Sequence, residues 1–228
     1  MSICPDERKT RKSERTLKGN YITIPQVVLT GGPCSGKSLV HSALQSYFGD
    51  QVTFVAEAAT SLLSGGFPLP GRDLDWSADW QAHFQRAVAG LQCALEMTAQ
   101  VRARQAGHKI IILDRGLLDG GAYLPRGLHE LVELTGQTID QMLRRYTLVV
   151  QLETLAASKP ELFGQDNNLQ RFETEPEKAV LIDRNLEMCW RWPNNSLIWR
   201  HIPVTETFQE KIWRVKSLID SILSEQTK

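Results

Sequence analysis

Residues 31–38 read Gly31-Gly32-Pro33-Cys34-Ser35-Gly36-Lys37-Ser38, and this stretch decides the fold. It matches G-x-x-x-x-G-K-[ST], the pattern of a phosphate-binding loop. The apolar run Val27-Val28-Leu29-Thr30 before it predicts a strand, and Leu39-Val40-His41-Ser42-Ala43-Leu44 after it suits a helix. Strand, loop and helix in that order are the context the motif requires. The glycines let the backbone curl so that several N–H groups converge on one phosphate. The following helix directs its positive end at the same anion. Lys37 is expected over the β- and γ-phosphates, and the Ser38 hydroxyl is expected to ligate Mg²⁺. Residues Gly31, Gly32, Pro33, Cys34, Ser35, Gly36, Lys37, Ser38 and Leu39 together form the expected nucleotide-binding segment. The other reading is a glycine-rich turn carrying an exposed lysine.

Working outward, the chain has 228 residues, with 42% apolar and 23% charged, enough for one α/β domain with a substantial core. The formal net charge is zero, so no basic field argues for nucleic acid. No apolar run approaches the roughly 20 residues that cross a bilayer. Nothing near the N-terminus resembles the apolar core of a secretory signal. Cys4, Cys34, Cys93 and Cys189 show no paired spacing and read as reduced thiols of a cytoplasmic protein. Cys34, in the phosphate loop beside a helix start, is either an activated thiol or a small loop filler. Residues 1–20 carry six basic residues (Arg8, Lys9, Arg11, Lys12, Arg15, Lys18) against Asp6, Glu7 and Glu14, with few large apolar residues. They read as a disordered basic tail. Residues 21–228 read as a single domain.

Strand-like runs at 27–30, 51–56, 109–113, 147–152 and 196–202 alternate with helical patterns, the signature of a parallel sheet covered on both faces. The longest expected helix covers 78–105, with Phe84, Val88, Leu91, Leu95 and Val101 as its inward stripe. Capping boxes are expected at Thr138–Gln141 and Thr174–Glu177, and a final helix starts near Thr207 with Ile212, Val215, Leu218, Ile219 and Ile222 inward.

Asp114 follows the apolar run Ile110-Ile111-Ile112-Leu113, the Walker B arrangement of a strand ending in an acid. There it holds Mg²⁺ beside Ser38, or caps the segment that follows. Arg115 comes next, a candidate for holding a substrate group or the phosphoryl in transit, or a surface ion-pairing residue. Asp119 is a substrate contact or a cap. Glu57 ends the second strand. It accepts the proton of an attacking hydroxyl or binds a sugar hydroxyl, or it is an acid that suits a helix start. The polar segment 164–173 has the position of a lid, and its Arg171 is the candidate for reaching the γ-phosphate, because a planar guanidinium meets two phosphate oxygens at once. Arg184 is a weaker candidate. Trp76, Trp80 and Phe84 recur every four residues, as packing or as a stacking platform, and Gln81, Gln85 and Gln92 are solvated or read a nucleobase edge. The histidines show no metal spacing, and no Ser/His/Asp arrangement is visible.

Thr30-Gly31-Gly32-Pro33, Glu57-Ala58-Ala59, Asp114-Arg115-Gly116-Leu117-Leu118-Asp119, and 167–173 followed by Glu177-Lys178-Ala179 occur in this order. Together they resemble the AAA-domain P-loop family that includes the kinase part of nicotinamide riboside kinases and a lipid- and GTP-binding eye-degeneration protein of animals. The likeness spans roughly residues 25–222. The resemblance implies a three-layer α/β/α P-loop NTPase of nucleoside- and nucleotide-kinase layout, with a five-stranded parallel sheet in the order 2-3-1-4-5. No sensor segment of a ring-forming ATPase is visible. The Asp-Arg-Gly run departs from the acidic run of the riboside kinases, and Cys34 replaces the small residue usual in the loop.

The expected activity is a kinase using ATP (GTP possible) and Mg²⁺, transferring the γ-phosphate to a small nucleoside- or nucleotide-like acceptor, with Lys37, Glu57, Asp114, Arg115 and Arg171 as catalytic residues. The rivals are a nucleotide-dependent switch without an acceptor, whose GTPase form is weakened by the lack of an N-K-x-D motif, and a nucleic-acid- or lipid-associated NTPase using the basic tail.

Overall fold

The computed structural model describes residues 23–163, 175–191, 198–205 and 207–225. The basic tail 1–20, Arg171 with its lid segment, and the Thr174 end of the second capping box lie outside them. In chain order the main elements are β1 (Gln26–Thr30), α1 (Lys37–Phe48), β2 (Thr53–Val55), α2 (Ala58–Ser64), α3 (Ala78–Ala106) and β3 (Ile111–Asp114). Then come a 3₁₀ segment (Leu117–Tyr123), α4 (Gly127–Thr135), α5 (Ile139–Leu143), β4 (Leu148–Leu152), α6 (Pro176–Arg191), β5 (Ile198–Ile202) and α7 (Phe208–Glu225).

The strands form one sheet in the order 2-3-1-4-5, and every pair is parallel. β1, β3 and β4 are buried along their whole length, which is why they read as unbroken apolar runs rather than alternating ones. Val27, Val28, Leu29, Ile111, Ile112 and Leu113 are fully covered, each contributing about 1.5–3 kcal/mol by leaving water. Alternate residues feed two cores. Val28, Ile111, Leu113 and Val149 pack towards Leu117, Leu131, Leu186 and Trp190, whereas Val27, Leu29, Ile112 and Val150 pack towards Val40, Leu44, Val215 and Ile219. The sheet is therefore the middle of three layers.

Helix ends follow local chemistry. The Ser77 hydroxyl accepts the Trp80 amide proton at the start of α3, and Gly107, at φ 71°, ends it. The expected capping box at Thr138 and Gln141 is present in full. The inward stripe expected for α3 is corrected by the structure. Val88, Leu91 and Leu95 are half-buried and Val101 is exposed, while Gln85, Gln92 and Glu96 are buried beside Phe84, Ala89, Ala99 and Ala103. Gln92 and Glu96 turn inward to meet the Arg115 carbonyl after β3 and the Arg145 and Tyr146 side chains before β4, while Ala89, Ala99 and Ala103 pack in the core.

Candidate active site

At the carboxyl end of β1 the chain turns into the phosphate loop through Gly31. Its φ is 146°, and a Cβ there would lie 2.2 Å from the Leu152 carbonyl oxygen, so only glycine fits. Among the described residues, Cys34 (φ 58°) and Arg115 (φ 72°) are the non-glycine residues with positive φ. Each holds a conformation that costs an L-residue about 1–2 kcal/mol, and both line the same cavity of about 470 Å³. The amides of Gly36, Lys37 and Ser38 have no acceptor among the described residues, as expected of groups that open towards an anion. Leu39 lines the mouth with its side chain mostly exposed.

Lys37 curls back so that its Nζ donates to the Gly31 carbonyl at 3.0 Å. Burial lowers its pKa to about 8, helped by repulsion from Arg115 and opposed by Asp114, Glu57 and Asp119. Asp114, at the end of β3, is buried, and its Oδ1 has no hydrogen-bond partner. Burial raises its pKa, against the pull of Lys37. A buried carboxylate oxygen without a partner, in one cavity with the Ser38 hydroxyl, fits a hard divalent cation that completes its shell with phosphate and water oxygens. Among the described residues no cluster of three or more His, Cys, Asp or Glu side chains could hold a metal ion.

Arg115 sits opposite. Its Nε donates to Glu57 Oε1 at 2.5 Å, and its Nη1 donates to Asp119 Oδ2 at 3.0 Å. The guanidinium also lies 5.7 Å from the Tyr123 ring centre. Asp119 further accepts from the Thr30 hydroxyl at 2.8 Å and from Trp190 Nε1 at 2.7 Å. The oxygens of Asp119 thus serve Arg115, Thr30 and Trp190, and the residue also lines the cavity. Arg115 is likewise not a surface residue. For Glu57, burial acts to raise the pKa, but Arg115, Lys37 and the Thr60 hydroxyl outweigh it and hold the pKa at about 2. Glu57 is therefore a permanent carboxylate, poor at taking protons and suited to orienting a donor.

Behind Arg115 lies a buried network with no counterpart in the sequence reading. Gln92 Nε2 donates to the Arg115 carbonyl at 3.2 Å and to Glu96 Oε1 at 2.9 Å. Glu96 also accepts from Arg145 Nε at 2.6 Å and from the Tyr146 hydroxyl at 2.9 Å, and that hydroxyl accepts the Leu117 amide proton. The polar spacing Gln85, Gln92, Glu96 along one helix face was the available signal.

Away from the phosphate loop the cavity is walled by Trp80, Phe84, Gln81, Gln85 and Tyr123, with Trp76 exposed at its rim. Trp80 and Phe84 stack on each other at 5.0 Å, and Trp80 Nε1 donates to the Pro68 carbonyl. They are thus packed wall rather than a free platform. Gln85 is 5% exposed and lines the cavity. Gln92 also lines the cavity, but its Nε2 is taken by Glu96 and the Arg115 carbonyl. Arg184 is exposed and does not line it.

The sheet order, the glycine-rich loop between β1 and α1 and the acid closing β3 define a P-loop nucleoside-triphosphatase fold of the kinase layout. A model of the AAA domain family matches residues 26–206, and the chain belongs to that family. No curated protein sequence matches it. Among solved structures it is similar to a deoxyadenosine kinase from M. mycoides with bound dATP. The identity is 11%, the TM-score 0.50, and the match covers 86% of this chain and 99% of that one. At that identity the likeness is one of fold. No helix among the described residues is long and apolar enough to cross a membrane.

Proposed function

We propose that the protein is a Mg²⁺-dependent kinase that transfers the γ-phosphate of ATP to a hydroxyl of a small, neutral, nucleoside-like acceptor. The observation that carries this reading is one cavity that joins the phosphate loop to the Glu57–Arg115 ion pair and to a wall that includes Trp80, Phe84 and Gln85. The Gln85 amide pairs a donor with an acceptor, which suits the edge of a planar heterocycle. The deoxyadenosine kinase of similar fold acts on such a compound.

Charge selects the kind of acceptor. Lys37 and Arg115 are the basic side chains that line the cavity among the described residues, and Arg115 is neutralised by Glu57 and Asp119. A dianionic phosphate placed beside the permanently ionised Glu57 would be repelled, whereas a hydroxyl would donate to it. In the reaction Glu57 orients that hydroxyl, and Arg115 holds Glu57 in place and offsets charge near the transferring group. Lys37 and the loop amides stabilise negative charge on the phosphoryl oxygens. Ser38 and Asp114 would hold Mg²⁺, which supplies charge neutralisation on the phosphates when bound. Phosphoryl transfer asks for positioning more than for covalent help, and this side-chain set is built for it.

The test is ADP release from ATP with nucleosides and, separately, with their 5′-monophosphates, with Lys37→Ala as control. Stimulation by nucleosides, abolished in the variant, supports the reading. Stimulation by monophosphates alone overturns the choice of acceptor. Nucleotide binding with no stimulation by either favours a switch.

A further inference from the structure

The phosphate loop is gripped from behind, and one grip comes from the last helix. Every carbonyl from residue 31 to residue 36 has a donor. Gly31 O takes Lys37 Nζ, Gly32 O takes the Ser35 amide, and Pro33 O takes the Thr154 hydroxyl. Cys34 O takes the Leu155 amide, Ser35 O takes Lys211 Nζ at 3.0 Å, and Gly36 O takes the Val40 amide. Peptide planarity gives these contacts a consequence on the other side of the chain. The C=O of one residue and the N–H of the next lie in one trans plane and point in opposite directions. Lys211, by holding the Ser35 carbonyl outward, turns the Gly36 N–H inward, where it has no protein acceptor. The plane would otherwise be soft, because Gly36 sits at φ 82° and glycine rotates with little hindrance. A flipped plane would present an oxygen to the phosphate instead of an N–H.

Lys211 is built into this place. It is 7% exposed and does not line the cavity, so it does not reach the ligand itself. The carboxylates that face it are Glu153, after β4, and Asp183 of α6. Asp183 Oδ1 in turn accepts the Gly32 amide proton at 2.7 Å. Phe208, one turn earlier on α7, packs behind Gly36, where an added Cβ would meet its ring at 3.3 Å. Residue 211 lies beyond the span 26–206 matched by the AAA domain family. A buried ammonium serving a loop carbonyl, where any apolar side chain would satisfy packing alone, asks for a reason beyond stability.

We infer that Lys211 is a positioning residue for the nucleotide: from behind the phosphate loop it fixes the Ser35–Gly36 peptide so that the Gly36 amide faces the phosphates. This rests on the nucleotide-binding reading above. The experiment is titration calorimetry of the full chain with MgATP, beside thermal melting, for wild type, Lys211→Met, Lys211→Leu and Lys211→Arg. Methionine keeps the stem and removes the donor, so binding weakens about tenfold or more, the loss expected for a charged hydrogen bond. Arginine restores a donor and binds within about threefold of wild type. A role in stability alone would lower the melting temperature and leave the dissociation constant, measured well below the melt, unchanged. Folded Lys211→Met binding MgATP as wild type does overturns the inference. Should that variant not fold, Lys211→Leu, which also lacks a donor, decides on the same criterion. Absence of binding by wild type would instead remove the nucleotide reading and this inference with it.

Discussion

Lys37 gives the sharpest quantitative expectation. Without nucleotide its ammonium is buried and faces Arg115, and its pKa falls to about 8. A bound triphosphate places several negative charges beside it, which restores the pKa to its ordinary value of 10.5 or above. Binding near pH 8.5 must therefore draw a proton from solution. With a pKa of about 8, roughly a quarter of the free protein carries that proton at pH 8.5, so binding takes up about 0.75 proton per nucleotide. At pH 7 the free protein already carries about nine-tenths of it, and uptake falls to about 0.1. MgATP has shed its own titratable protons above pH 8, so the protein supplies the difference. The assay is calorimetry in buffers of different ionisation enthalpy, where the slope of observed heat against that enthalpy is the proton number. The sign carries over to affinity: it weakens as pH rises above 8, approaching about tenfold per pH unit near pH 9.5. A slope indistinguishable from zero at pH 8.5, with binding intact, would refute the argument that Lys37 is desolvated in the free protein and meets phosphate in the complex.

Asp119→Ala strands Arg115, the Thr30 hydroxyl and the Trp190 indole together. Breaking so buried a set should lower stability by about 3–5 kcal/mol in urea denaturation, and a loss under about 1 kcal/mol would contradict the network. Glu57 titrates at about 2 in the folded protein against an ordinary 4.5. A depressed folded pKa stabilises above the unfolded value, so about 3 kcal/mol present at neutral pH should vanish as pH falls from 4.5 towards 2. Glu57→Gln should be less stable than wild type at pH 7 by a gap that closes in that acid window, and a gap independent of pH would count against the ion pair. Gln85→Leu replaces an amide that lines the cavity with an apolar side chain of similar size, so ATP affinity should stay and acceptor-stimulated turnover should drop by about ten- to a hundredfold. Unchanged turnover with every nucleoside would place the acceptor elsewhere.

Local chemistry explains which parts were legible in the sequence. The phosphate loop, its flanking elements and Asp114 are adjacent in the chain, and their spacing alone declares them. The sheet order followed once the family resemblance was seen, because a topology is shared even where few residues are. Glu57 and Arg115 could each be placed at a strand end. Their ion pair, spanning 58 residues, could not, since it depends on β2 and β3 being neighbours in register. The face of α3 was misread for a physical reason. Hydrophobic periodicity assumes that the inward side of a helix meets apolar surface. Here Gln85, Gln92 and Glu96 turn inward because that side meets a cavity and a strained backbone that need polar partners. Lys211 was invisible for a similar reason: its partner is a carbonyl 176 residues away, and no side-chain pattern announces a backbone partner.

The strain in the site argues for its rigidity. Cys34 and Arg115 hold positive φ in the lining of one cavity, and each is held by contacts outside its own loop. The Cys34 carbonyl is held by the Leu155 amide. The Arg115 amide donates to the Leu29 carbonyl, its own carbonyl accepts from Gln92, and its guanidinium is held by Glu57 and Asp119. A backbone conformation of this kind persists only where the surroundings over-determine it. A nucleotide switch has the opposite requirement, because the groups that sense the γ-phosphate must be free to rearrange once it is gone. The described part of this site has little such freedom at Arg115 or behind the phosphate loop. Fixed dipoles and charges that need no reorganisation as charge develops are what phosphoryl transfer uses. The stiffness of these anchors, more than the presence of the motif itself, supports the proposed phosphoryl transfer over a nucleotide switch.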